Sequence, residues 1–137
     1  MKKYEFLEHT ADVKFIAYGK DLRKLMINSA KALKKVIYNK RVKKREEKKI
    51  KIKGKDLENM VYLFLEEFLF LLDGKNFLFS KIKEIEVDEK NFSIKATILG
   101  DSSKRYDIQS DVKAITYNEM YVRKEGKLWI SQVVLDV

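Results

Sequence analysis

Hydrophobic residues alternate with polar ones in several short segments of the chain, which is the pattern of half-buried β-strands. Val13, Phe15 and Ala17 alternate in this way near the start, after a first strand-forming segment at residues 4–9. The same criteria predict further strands at 49–53, 77–87, 92–99, 112–117, 121–124 and 127–137. Residues 88–91 have the composition of a hairpin turn, which favours antiparallel pairing of their flanking strands.

Two other segments place hydrophobic residues three and four positions apart, which predicts amphipathic helices. The first helix is expected over residues 22–37 with Asp21 as its N-cap, and the second over 57–73 with Asp56 as its N-cap and Gly74 as its stop. The second is apolar around much of its circumference, so it should be central in the fold or covered by a partner. The order ββαβα, followed by several strands, predicts a single α+β domain over residues 1–137, with both helices on one face of a mostly antiparallel sheet.

Composition excludes several classes of chemistry. There is no cysteine, which rules out disulfides, thiolate zinc sites and cysteine nucleophiles, and the lone histidine, His9, argues against a Ser–His–Asp triad. The chain has no glycine-rich phosphate loop, G-x-S-x-G or H-E-x-x-H motif, so we expect no enzymatic activity. The start has no signal-peptide pattern, and the longest apolar run is broken by two glutamates. A cytoplasmic protein without a membrane segment is therefore expected.

The positive charge is concentrated in one segment. Residues 39–53 hold nine lysines and arginines against two glutamates, so they supply +7 of the net charge of +9. Two interpretations remain open: the lysines protect a solvated strand edge, or they form an electrostatic patch for RNA or for an acidic partner. The segment has no aromatic residue, which argues against sequence-specific recognition of single-stranded RNA.

Three segments carry candidate chemistry. Residues 8–13 place Asp12 in a polar connection between two strands, where a hydrogen-bonded turn is the simpler explanation. The apolar end of the chain places Asp136 beside the α-carboxylate of Val137, and the balancing charge is either a lysine or arginine or a hard divalent cation. In the third, Lys113 and Tyr117 share a strand face and could contact phosphate, although a lysine with a solvated ammonium is the commoner case.

Taken together, residues 4–13, 17–19, 112–117 and 135–137 resemble the signatures of the archease family, and the resemblance extends from residue 4 to 137. It implies a non-enzymatic accessory protein for tRNA splicing, which promotes guanylylation and multiple turnover of the RtcB-type RNA-splicing ligase. It also implies bound calcium, with Asp12, Asp136 and the terminal carboxylate of Val137 as ligands; magnesium or manganese would suit the same oxygen donors. His9, Lys113 and Tyr117 are candidate contacts to the ligase or supports of the metal ligands.

One position of the chain departs from the family pattern. Asn118 replaces the usual histidine after the Thr-Tyr pair, and it cannot titrate near neutrality.

Two other functions remain as alternatives. The first alternative is a stand-alone RNA-binding module or RNA chaperone that uses residues 39–53. The second is a metal-dependent hydrolase built on the same carboxylates, which is disfavoured because few groups remain for general acid–base catalysis.

Overall fold

The fold is α+β, as predicted, and its seven strands all pair antiparallel. The structure is a computed structural model that describes residues 2–8 and 12–137. The elements in chain order are β1 (Tyr4–Leu7), β2 (Val13–Gly19), α1 (Leu22–Ile37), β3 (Glu46–Lys53), α2 (Leu57–Lys75), β4 (Phe77–Asp88), β5 (Ser93–Ser102), β6 (Ala114–Glu125) and β7 (Leu128–Asp136).

The strands form two sheets rather than the one that the hydrophobic pattern suggested. The first sheet has the order β1-β2-β7-β6 and the second the order β3-β5-β4. Periodicity within a strand shows which residues share a face but not which strands become neighbours. Both helices contact strands of both sheets, which explains why α2 is apolar around most of its circumference. Its residues Met60, Phe64 and Leu65 are fully buried, so the central position predicted for this helix is confirmed.

The helix starts agree with their predicted caps. The Asp21 carboxylate accepts a hydrogen bond from the Lys24 N–H at 2.8 Å, and the Asp56 carboxylate accepts one from the Asn59 N–H at 2.7 Å. The prediction that α2 stops at Gly74 is wrong. The helix continues to Lys75 and ends at Asn76, which takes the left-handed conformation (φ 53°) usually filled by glycine.

Two predicted strands near the end of the chain are one strand with an irregularity. β6 runs unbroken from Ala114 to Glu125, but its pairing with β7 shifts register between Thr116 and Tyr121. Glu119, inside this interruption, has a left-handed backbone (φ 53°). The residues between the two predicted strands, 118–120, therefore form a bulge within one strand. Among the described residues, no helix is long and apolar enough to cross a membrane.

Candidate functional site

Two acidic residues are neighbours where β2 begins and β7 ends. In the β2–β7 ladder Val13 pairs with Leu135, and Asp12 precedes Val13 while Asp136 follows Leu135. Extending this antiparallel register by one residue sets Asp12 opposite Asp136, a position where Cα atoms are about 4.5–5.5 Å apart in a regular ladder. The strand register thus places two acidic residues that are far apart in the sequence at opposing positions of neighbouring strands.

The end of β7 is held in place from both sides. Residues 133–135 are fully buried, and β7 lies between β2 and β6 in the first sheet. The Lys113 N–H donates a hydrogen bond to the Asp136 carbonyl oxygen at 2.8 Å. The expectation of an ordered strand near the end of the sequence is therefore confirmed. Val137 follows this fixed strand and is 40% exposed.

The Lys113 side chain forms no ion pair with Asp12 or Asp136 in the part of the chain that the structure describes. It lines a cavity of about 430 Å³ between α2 and β6, together with Glu66, Glu67 and Asp73. Burial raises the pKa of Glu67, and the nearby charge of Glu66 raises it further. Within residues 2–8 and 12–137, the Lys113 ammonium makes no ion pair. Lys113 therefore supports the end of β7 through its backbone, while its exposed side chain borders the cavity beside α2.

Tyr117 contacts α2 rather than the acidic pair. Its hydroxyl accepts a hydrogen bond from Asn59 Nδ2 at 2.7 Å, and its ring stacks on Tyr62 with centroids 4.2 Å apart and planes inclined by 5°. The ring is still 51% exposed. At about 3.3 Å per residue, Tyr117 lies roughly 10 Å along β6 from Ala114, the residue that pairs with Asp136. His9, the third candidate contact, lies outside the described residues.

An ion pair beside the site has no clear signal in the sequence. Lys14, two residues after Asp12, places its ammonium 3.1 Å from Glu119 Oε1. The Glu119 carbonyl oxygen in turn accepts a hydrogen bond from Gln132 Nε2 at 2.7 Å. These contacts bind the β6 bulge, which contains Asn118, to β2 and β7. They depend on a register shift and on residues 105 apart in the chain, which periodicity does not reveal.

The donor chemistry at the end of β7 suits a hard cation. In the described part of the chain, no three Asp, Glu, His or Cys side chains form a cluster able to hold a metal. The predicted ligand set is of a different kind, because it combines the side chains of Asp12 and Asp136 with the main-chain carboxylate of Val137. All these donors are oxygen atoms, the ligands that calcium and magnesium prefer, and none is the nitrogen or sulfur typical of zinc.

Comparison with known proteins gives matches along the whole chain. The family model described as "Archease protein family (MTH1598/TM1083)" matches residues 4–137. Protein archease of Methanosarcina mazei is 36% identical over 141 residues, covering 99% of this chain and 97% of that protein. Protein archease of Pyrococcus abyssi is 36% identical over 143 residues and is covered completely, as is this chain.

Two solved structures share the fold. The solution structure of protein 1598 of Methanobacterium thermoautotrophicum has a TM-score of 0.84 and 33% identity, with 100% of both chains covered. The crystal structure of a Thermotoga maritima protein, described as an archease and possible chaperone, has a TM-score of 0.68 with 96% of this chain and 94% of that chain covered. At 21% identity the second likeness concerns the fold alone.

Proposed function

Because the chain belongs to the archease family, we propose that it is a non-enzymatic accessory protein that activates an RtcB-type RNA-splicing ligase. It promotes guanylylation and multiple turnover of the ligase during tRNA splicing in the cytoplasm, and the ligase performs the joining chemistry. The observation that supports this proposal is the pairing of β2 with β7, whose register, extended by one residue, puts Asp12 opposite Asp136 at the end of the first sheet. An acidic site at this position gives a protein without a nucleophile motif a means of acting on its partner.

Calcium is the metal proposed for this site, with Asp12, Asp136 and the α-carboxylate of Val137 as its ligands. Magnesium or manganese could occupy the same oxygen donors, but calcium tolerates irregular geometry better. When bound, the ion supplies positive charge that relieves repulsion among three carboxylates. The protein supplies position: the hydrogen bond from Lys113 to Asp136 and the burial of residues 133–135 keep the last strand from fraying.

The surface proposed to contact the ligase lies next to this site on the side of α2. Lys113 and Tyr117 are both exposed there, and His9 precedes Asp12 by three residues. Tyr117 is held by Asn59 and Tyr62, so its ring is presented in a fixed orientation. Asn118 is exposed beside it and can donate and accept hydrogen bonds, but it cannot transfer a proton near neutrality. The proposed activation therefore involves no proton transfer at this position.

Calorimetric titration with Ca²⁺ tests the ligand set. A short Gly-Ser extension after Val137 converts its carboxylate into an amide, and Asp12→Asn and Asp136→Asn each remove one side-chain charge. Each change should weaken calcium binding at least tenfold, because ligand charge is a main determinant of affinity. Asp107→Asn, at an exposed position outside the strands, is the matched control and should bind like the parent. Parent-like affinity in the extended protein would remove Val137 from the ligand set.

A guanylylation assay with a cognate ligase tests the activity. Substoichiometric protein should speed loading of the nucleotide and sustain ligation, and it should show no ligation or hydrolysis on its own. Asp12→Asn and Asp136→Asn should lose this activation while melting near the parent temperature, whereas Asp107→Asn should keep it. An unchanged ligase rate across the titration would refute the proposal. RNA binding without any effect on the ligase would favour the stand-alone RNA-binding alternative.

A further inference from the structure

The coil between α1 and β3, which begins the basic segment, is fastened to the body of the protein. Val42 is 2% exposed, and its carbonyl oxygen accepts a hydrogen bond from Ser80 Oγ at 2.7 Å. The Lys43 N–H donates to the Tyr106 hydroxyl oxygen at 2.9 Å. The inward position of Val42 leaves the residues on either side of it, Arg41 and Lys43, exposed. Their cationic side chains therefore extend from a backbone that is already ordered.

A buried carboxylate orients two further cations beside this coil. Asp101 is 1% exposed and contacts Arg45 at 2.8 Å and Arg105 at 3.5 Å. It also accepts hydrogen bonds from the Tyr106 hydroxyl at 2.7 Å and the Ser102 N–H at 2.8 Å. Burial alone would raise the pKa of Asp101, but these hydrogen bonds and the charge of Arg45 hold it below its usual value. Asp101 therefore stays ionised and fixes one end of each guanidinium.

These side chains line one open cavity of about 560 Å³, formed by Arg41, Lys43, Arg45, Arg105 and Tyr106. Among the described residues, Asp101 is the only carboxylate that pairs with any of the four cations, and Arg41 and Lys43 make no ion pair. The cavity therefore keeps three uncompensated positive charges. Like charges that line one cavity repel one another, so the binding of an anion in the cavity is favoured.

A second basic cavity adjoins the first and shares Arg41 with it. It has a volume of about 380 Å³, and its lining includes Lys31, Lys34 and Tyr38. Burial lowers the pKa of Lys31 and Lys34, and the charge of the nearby Lys3 lowers that of Lys31 further. The Tyr38 and Tyr106 rings meet edge to face with centroids 5.4 Å apart. One tyrosine thus lines each cavity, and both rings are partly buried against the core.

We propose that these two cavities form a binding site for single-stranded RNA, in which Arg41, Lys43 and Arg105 contact backbone phosphates. Arginine forks match phosphate oxygens in geometry as well as in charge. Folds that bind single strands combine a cationic groove with aromatic side chains on which bases stack, and Tyr38 and Tyr106 supply that second component. The proposal does not depend on the effect on a ligase. Segment 39–53 itself contains no aromatic residue. The two tyrosines that line the cavities come from outside that segment.

The other half of the basic segment has a different role. β3 lies at the edge of the second sheet, and its exposed Lys49 and Lys51 share the outer face of that sheet with Glu84 and Glu86, which lie on the far side of β5. Lysines on an exposed edge strand discourage pairing with other chains. The interpretation of edge protection therefore suits β3, and the interpretation of RNA binding suits the coil that precedes it.

Fluorescence anisotropy with a labelled single-stranded RNA of about twelve nucleotides, within the site sizes of single-strand binding folds, tests the proposal. The test variant is Arg41→Ser/Lys43→Ser, which leaves Asp101 and its partners intact. The matched control, Lys49→Ser/Lys51→Ser, loses the same charge from the same segment. At about 50 mM salt each lost phosphate contact should weaken binding roughly tenfold. It should also make the plot of log binding constant against log salt concentration less steep by about 0.7. The control should bind like the parent, and both should melt near the parent temperature.

Two competitors identify the ligand chemistry. Inorganic phosphate should displace the RNA more effectively than chloride at equal ionic strength, and polyglutamate of equal charge should compete poorly. Absence of RNA binding at low salt, or equal weakening in both double variants, would overturn the proposal. Equal competition by phosphate and chloride would also overturn it. Polyglutamate that binds as tightly as RNA would assign the cavities to an acidic protein partner instead.

Discussion

Replacement of Tyr106 by phenylalanine should destabilise the protein through a single oxygen atom. The Tyr106 hydroxyl donates a hydrogen bond to Asp101 at 2.7 Å and accepts one from the Lys43 N–H at 2.9 Å. The phenylalanine ring can keep the edge-to-face contact with Tyr38. The substitution therefore removes two hydrogen bonds and leaves the packing of the ring in place.

The expected loss is about 2 kcal/mol. A hydrogen bond to a charged group is worth about 1.5–3 kcal/mol and a neutral one about 0.5–1.5 kcal/mol, and the two are not additive. Tyr106 is only half-buried, so water can replace part of what is lost, which places the sum near the lower end. For a domain of this size, a loss of about 2 kcal/mol lowers Tm by roughly 6–8 °C.

The loss should also depend on pH. The pKa of Asp101 in the folded protein lies below its usual value near 3.8, partly because Tyr106 donates to the carboxylate. A carboxyl with a depressed folded pKa adds stability above its unfolded pKa, and that stability disappears as pH falls through the folded pKa. Without the Tyr106 hydroxyl the folded pKa moves up towards the unfolded one. The difference between variant and parent should therefore be full at neutral pH and shrink below about pH 4.

Urea unfolding followed by circular dichroism at pH 7 and at about pH 3 measures both effects. Tyr38→Phe is the matched control, because within the described residues its hydroxyl makes no hydrogen bond, and it should change stability by less than about 0.5 kcal/mol. A Tyr106→Phe protein as stable as this control would show that the hydroxyl contributes nothing. A destabilisation that is equal at both pH values would show that it does not act through Asp101.

Two predictions concern the core. Gly100→Ala should cost about 3 kcal/mol in urea unfolding, because a Cβ there would collide with the Leu78 carbonyl oxygen and lie 2.6 Å from the Phe77 ring; a loss below about 1 kcal/mol would mean that β4 can move aside. Ser29→Ala should cost about 1–2 kcal/mol, since it leaves the fully buried Ser131 hydroxyl without its partner at 3.0 Å. The double variant Ser29→Ala/Ser131→Ala should lose less than the sum of the single variants, and strict additivity of the unfolding free energies would contradict this coupling.

Local features of the fold were predictable because their causes lie within a few residues. An N-cap acts on an N–H three residues away, so Asp21 and Asp56 identify the starts of both helices. The predicted end of α2 came too early in the chain because asparagine, like glycine, can adopt the left-handed conformation, and here Asn76 does so. The last strand was also predictable from local sequence, because the apolar residues of a buried strand are enough to identify it.

The candidate sites, too, were predictable only in part from the sequence. The sequence identified Asp12, Asp136 and the positive charge of residues 39–53, and its likeness to a family indicated which of these to consider together. It could not show that the coil and strand halves of the basic segment have different surroundings. Nor could it associate Arg45 with Asp101, which are 56 residues apart, because that contact requires β3 to pair with β5.

By itself, the sequence determined the two helices, most strands, the α+β class and the places where charge is concentrated. These follow from periodicity and composition, which act between near neighbours in the chain. The tertiary structure alone decided the division into two sheets, the bulge in β6, the pairing of Lys14 with Glu119 and the cavity around Tyr106. The physical reason is that register and sheet order depend on how all elements pack at once, so residues far apart in sequence become neighbours only when the whole core has formed.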